Sequence, residues 1–136
     1  MSGERYNLSG LAVPEGLESL HELLSRAASE HPSLPAGEVM MLETAVMEIA
    51  GNVIKHGKPS GAVAWTFTLD VGPPLRATLA DSGEEYAETW TGEMPDEMAE
   101  SGRGLALADA VLDQLLYERR DTTNVWTMIR HIDATM

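Results

Sequence analysis

The sequence predicts an α+β fold, a two-layer sandwich with helices on one face of a mixed, mainly antiparallel sheet. Three observations lead there. Two long early segments repeat apolar residues at three-and-four spacing, the period then switches to two, and the alternating segments are joined largely by connections of hairpin length. With 136 residues the chain fits one domain of roughly 100–150 residues. No repeat, linker or low-complexity tract divides it, so residues 1–136 are expected to form a single domain.

The elements follow in order. Arg5 to Val13 alternates loosely through Tyr6, Leu8, Leu11 and Val13, as a first strand would. Pro14 suits the opening turn of a helix, and Leu17, Leu20, Leu23/Leu24 and Ala27/Ala28 continue at helical spacing until Pro32 and Pro35. Ala36 to His56 carries the strongest helical pattern, Val39, Leu42, Val46, Ile49 and Val53, with Gly57 where a C-terminal glycine belongs. Val63, Trp65, Phe67 and Leu69 then alternate on one strand face, Gly72-Pro73-Pro74 turns the chain, and Leu75 to Ala80 returns as a partner. After an acidic segment, Gly102-Arg103-Gly104 opens a helix bearing Leu105, Ala108, Val111 and Leu112. Two strands, near Leu116–Arg119 and Val125–Ile132, close the chain around a polar turn at Asp121-Thr122-Thr123-Asn124.

Composition excludes several function classes. The chain has no cysteine, which removes disulfide frameworks, cysteine–zinc sites, iron–sulfur clusters and thiol catalysis. It opens Met1-Ser2-Gly3-Glu4-Arg5, without the basic and apolar runs of a signal peptide. No run approaches the ~18 apolar residues of a membrane span, so a cytoplasmic protein with no membrane partner is expected. Nine Lys+Arg against 22 Asp+Glu give a net charge of −13. Because nucleic-acid affinity depends on basic side chains neutralising phosphates, direct binding to nucleic acid is not expected. A basic protein is the partner such a surface attracts. From Asp81 to Glu100 the chain holds Asp81, Glu84, Glu85, Glu88, Glu93, Asp96, Glu97 and Glu100 and no basic residue; with Gly83, Gly92 and Pro95 it reads as a loop.

Three local patterns suggest chemistry. Glu48 and Asn52 lie four apart on the second helix and project from one face. An amide oxygen there can bind Mg2+, which takes phosphate oxygens and water as further ligands, and a glutamate one turn away can accept a proton from a hydroxyl. Asp81-Ser82-Gly83 ends a strand with a carboxylate able to accept from an exocyclic amine and a glycine that admits a flat ring. Ser101-Gly102-Arg103-Gly104-Leu105 leads into a helix whose N-terminal amides and dipole favour a phosphate. Taken singly, these also suit a solvated helix face, an ordinary Asp-Ser-Gly turn and an unexceptional helix start.

Together and in this order they resemble the GHKL (histidine-kinase-like) ATPases. The stretch Glu43 to Gly57, Asp81-Ser82-Gly83-Glu84-Glu85-Tyr86, and Gly102-Arg103-Gly104-Leu105-Ala106-Leu107 leading to Val111-Leu112-Asp113 look most like the small stand-alone branch, the bacterial anti-sigma factor serine kinases. The resemblance runs from the first strand to Ile132. It implies the Bergerat-type ATP-binding fold, with ATP and Mg2+ as cofactors. It makes Asn52 the Mg2+ ligand, Glu48 the general base toward a protein serine, Asp81 the adenine-reading carboxylate with Gly83 beneath the ring, and Gly102, Arg103, Gly104 and Leu105 the phosphate-binding run. Residues from about 84 to 101 correspond to the ATP lid.

The chain departs from the wider superfamily at Glu85, where a second glycine is frequent, while Tyr86 matches the aromatic of the stand-alone branch. Where a last-strand threonine often contacts adenine, Trp126 stands with Thr127 after it, and the contact is left unassigned. By resemblance the partners are a sigma factor and a STAS-type anti-sigma factor antagonist, and the assembly is a homodimer. The alternative is a regulatory binding module that keeps the fold without efficient phosphotransfer.

Overall fold

The computed structural model describes residues 4–57, 59, 61–85 and 100–132, with the main chain alone at 100–104. The elements are β1 (Arg5–Leu11), α1 (Pro14–Glu30), α2 (Ala36–His56), β2 (Ala64–Asp70), β3 (Leu75–Asp81), α3 (Glu100–Val111), β4 (Gln114–Arg120) and β5 (Thr123–Arg130). The order follows the alternation and spacing of the sequence. The α+β architecture with helices layered on a sheet is as expected.

The five strands lie in the order β1-β2-β3-β5-β4, and each neighbouring pair is antiparallel. The expectation of a mixed sheet is thereby corrected: no parallel pair occurs among the described residues. The reason lies in how the chain returns after α3. β4 runs in the direction of β3, as a helical crossover brings it back. β5 then reverses through a tight turn and fills the place between them, so both of its ladders are antiparallel.

Alternation and register together define the inner face of the sheet. One row across it is Tyr6, Leu69, Ala77, Met128 and Leu115, and the next is Leu8, Phe67, Leu79, Trp126 and Tyr117. Most of these side chains are buried, with Phe67, Leu79 and Met128 wholly so. α2 packs on β3 and β5 and against both other helices, and its Leu42, Ala45, Val46, Ile49, Ala50 and Val53 are buried. α1 approaches β2 closely: a Cβ at Gly16 would stand 2.6 Å from Trp65 Cζ2, so only glycine lets the helix settle there.

Gly57 ends α2 as expected, yet not in the left-handed conformation usual for such glycines. Its φ of −67° and ψ of 137° are extended. A Cβ there would lie 2.5 Å from the carbonyl oxygen of Val53 and 3.2 Å from Val63 Cγ2. Crowding selects the glycine here. The last hairpin also differs from expectation. Arg120 pairs with Thr123, so Asp121-Thr122 alone forms the turn and Asn124 belongs to β5. Asp121 adopts the left-handed φ of 54° that the tight reversal requires and that Asp tolerates. α3 begins at Glu100, two residues before Gly102.

Candidate nucleotide site

The third row of the inner face breaks the apolar pattern. It runs Gly10, Trp65, Asp81, Asn124 and Arg119, one residue from each strand in spatial order. Asp81 is 3% exposed and Asn124 4%. A buried carboxylate requires hydrogen-bonded partners, and this one has them. Asp81 Oδ1 accepts from the main-chain N–H of Gly83 at 2.9 Å and from Asn124 Nδ2 at 2.9 Å. Among the described residues both bonds fall on Oδ1, which leaves Oδ2 as an open acceptor.

The turn after Asp81 is fixed from two sides. Ser82 bridges to β2, its N–H donating to the Ala64 carbonyl at 2.9 Å and its Oγ accepting from the Ala64 N–H at 2.9 Å. From the other side Arg119 Nη1 donates to the Gly83 carbonyl at 2.7 Å, and Asn124 Nδ2 donates to the Glu84 carbonyl at 2.8 Å. Gly83 is buried, and a Cβ built on it would lie 3.0 Å from Asp81 Oδ1, 3.5 Å from Val63 Cγ2 and 3.6 Å from Gly57 Cα. The Asp-x-Gly turn therefore meets the C-terminal end of α2, the helix that carries Glu48 and Asn52. Asn52 precedes Gly57 by five residues, about 7.5 Å along a helix axis.

Asn52 and Glu48 are both half-buried. The side-chain nitrogen of Asn52 is buried without a hydrogen-bond partner among the described residues. An unsatisfied buried amide costs about 1–3 kcal/mol, so a ligand that engages it is favoured. Amide oxygen and nitrogen exchange places by a half-turn about χ2, and an oxygen in that position suits a hard cation. No three His, Cys, Asp or Glu side chains converge among the described residues, so phosphate oxygens and water would complete the shell of a cation held by Asn52. On these grounds the residues fit Mg2+.

The expected phosphate-binding run straddles two turns of α3: Gly102 and Arg103 fall in the first, where main-chain N–H groups without a partner in the helix concentrate, whereas Gly104 and Leu105 begin the second. Leu105 is buried in the core and anchors that turn. The side chain of Arg103, and residues 86–99 of the expected lid with Tyr86 among them, lie outside the described residues. Trp126 and Thr127 are both displaced from the Asp81 row. Trp126 is buried one row deeper, opposite Leu79, and Thr127 faces the other side of the sheet, opposite Thr78. Asn124, which the sequence placed in a turn, stands beside Asp81 instead. The shortness of the Asp121-Thr122 turn is the signal that could have located it.

The model of the histidine kinase-like ATPase domain family matches residues 12–130. The chain belongs to that family. Comparison with curated proteins gives no match. Among solved structures, this histidine kinase-like ATPase domain is similar to the crystal structure of the RsbU and RsbW domains of Rv1364c from Mycobacterium tuberculosis. The TM-score is 0.67 at 16% identity, over 94% of this chain and 32% of that one. The chain thus spans about a third of that chain's length, and the likeness is one of fold. Among the described residues no helix of the domain is long and apolar enough to cross a membrane.

Proposed function

We propose that this domain binds ATP with Mg2+ and acts as an anti-sigma factor with protein serine kinase activity. In this role it holds a sigma factor and phosphorylates a STAS-type antagonist. The observation that carries this is the close approach of Gly83 to Gly57, where a Cβ on Gly83 would lie 3.6 Å from Gly57 Cα, which brings the Asp-x-Gly turn to the end of the helix bearing Glu48 and Asn52. Asp81 Oδ2 accepts a hydrogen bond from the adenine amine, and Gly83 lies beneath the ring. The N-terminal end of α3, with Gly102, Arg103 and Gly104 in its first two turns, receives the phosphates. Asn52 holds Mg2+, which when bound neutralises charge on the transferring phosphoryl group. Glu48 takes the proton from the serine hydroxyl as its oxygen bonds to the γ-phosphorus and ADP leaves. By resemblance the protein works as a homodimer in the cytoplasm.

Calorimetric titration with ATP, with and without Mg2+, tests the site. Wild-type protein binds in a Mg2+-dependent manner, and Asn52→Ala loses that dependence. Glu48→Ala retains nucleotide but abolishes phosphorylation of the antagonist, with kcat reduced by about 10²–10⁴ as for loss of a general base. Retained phosphorylation in both variants would sink the kinase assignment. Sigma-factor binding without any phosphotransfer by the wild type would favour the regulatory module, a reading to which Glu85 and the acidic segment lend support.

A further inference from the structure

Among the described residues, Asp81 and Asn124 are the two polar or charged side chains buried in the core. They are bonded to each other, and beyond Asn124 stands a cation. An asparagine amide can face either way, so what it offers Asp81 depends on the partners of its other end. Asn124 Oδ1 accepts from the Tyr117 hydroxyl at 2.5 Å and from Arg119 Nη1 at 3.1 Å. A tyrosine hydroxyl both donates and accepts and would tolerate either orientation. A guanidinium only donates and keeps its proton. Arg119, donating to Oδ1, and the Asp81 carboxylate and Glu84 carbonyl, accepting from Nδ2, together hold the oxygen of Asn124 outward and its NH2 toward Asp81. The same Nη1 holds the Gly83 carbonyl at 2.7 Å, and Nε is itself held by the Asp121 carbonyl at 3.0 Å.

We infer that Arg119 and Asn124 are positioning residues for purine selection: they saturate Asp81 Oδ1 and thereby present Oδ2 as a pure acceptor to the base. Such an oxygen pairs with an exocyclic amine and leaves a 6-oxo group facing it unpaired and repelled. With Asn124 turned around or lost, Asp81 Oδ1 loses its side-chain donor, the Glu84 carbonyl loses the donor at 2.8 Å, and the distinction between amino- and oxo-purines weakens. The inference rests on the nucleotide-binding reading above.

ADP and inosine diphosphate differ at the base in the 6-amine against 6-oxo edge, with N1 an acceptor in the first and an N–H in the second, and calorimetry with each separates the two questions. Wild-type protein favours ADP by tenfold or more, on the order expected when a site's buried polar group is left unpaired. Arg119→Met and Asn124→Asp bring the two affinities to within about threefold, whereas Arg119→Lys, which keeps a donor, retains part of the preference. Arg119 is half-buried at the end of β4, and Met replaces its apolar stem, so the Arg119 variants carry the test even where Asn124→Asp does not fold. A preference undiminished in these variants, with both nucleotides weakened equally, would make the residues merely structural and overturn the inference while leaving the site intact. Equal binding of the two by the wild type would overturn it likewise. No binding of ADP by the wild type would remove the nucleotide reading, and this one with it.

Discussion

Tyr6 has its ring in the core and its hydroxyl donating to Glu30, while Arg26 lies over the ring at 5.3 Å. Burial, and then the bond to Glu30, push its pKa up from 10.0 to about 12. The folded state thus keeps a proton that the unfolded chain releases near pH 10. This contribution is complete below pH 10 and is lost as pH rises toward 12. Urea unfolding between pH 9 and 12 should show a falling midpoint in the wild type and a flatter one in Tyr6→Phe; parallel curves would show that Tyr6 does not titrate in this way. His21 works at the other end of the scale. Its Nδ1 lies 2.6 Å from Glu43 Oε2, and that hydrogen bond, then the charge of Glu43, raise its pKa. Stability from this α1–α2 pair is full below the unfolded value of about 6.5 and is lost as pH rises through the higher folded value. The pair is exposed, so His21→Gln should lower the thermal midpoint only slightly, and the difference should vanish at alkaline pH and in high salt.

At the scale of elements, the glycines of α2 separate crowding from helix propensity. Nothing lies within 4 Å of a Cβ placed on Gly51, whereas one on Gly57 meets a main-chain oxygen at 2.5 Å. Gly51→Ala should therefore stabilise the domain by about 0.5–1 kcal/mol, the usual gain in a helix interior. Gly57→Ala should cost about 1–3 kcal/mol, as overpacking does. Denaturant unfolding measures both, and equal shifts would contradict the geometry. The glycine at 57 was legible in the sequence as a helix stop, but the reason was not, because Val63 approaches from a different element. The same division holds throughout. The helices and β2 were legible because one stripe or one alternating face is a local property of the chain. Asp81 and Gly83, Glu48 and Asn52 were legible as residue types within short motifs. Asn124 and Arg119 were not, since their roles depend on which strand returns beside β3 after α3 and in what register. A two-residue turn in place of a four-residue one moves Asn124 from a solvent-facing loop into the buried row.

Over the whole molecule the excess of acid sets a competition that salt can resolve. The described ion pairs, Arg5 with Asp70, Arg120 with Glu118 and Arg130 with Glu38, are mostly exposed and worth about 0–1 kcal/mol each. Salt weakens them. Against them stands the mutual repulsion of a net charge of −13 carried by 136 residues, which compactness makes worse and unfolding relieves. The screening length falls from about 30 Å at 0.01 M to about 8 Å at 0.15 M salt. The first exceeds the domain radius of roughly 15 Å expected for this length, and the second does not. Added salt therefore removes most of the long-range repulsion while leaving contact pairs at 2.6–2.7 Å less affected. The thermal midpoint should rise between 0.01 and 0.15 M NaCl, and scanning calorimetry across that range measures it. A falling midpoint would mean that the local pairs outweigh the global field. A rise would show a surface whose unspent negative charge is neutralised just as well by a basic protein partner, whose association rate should then drop steeply over the same range of salt.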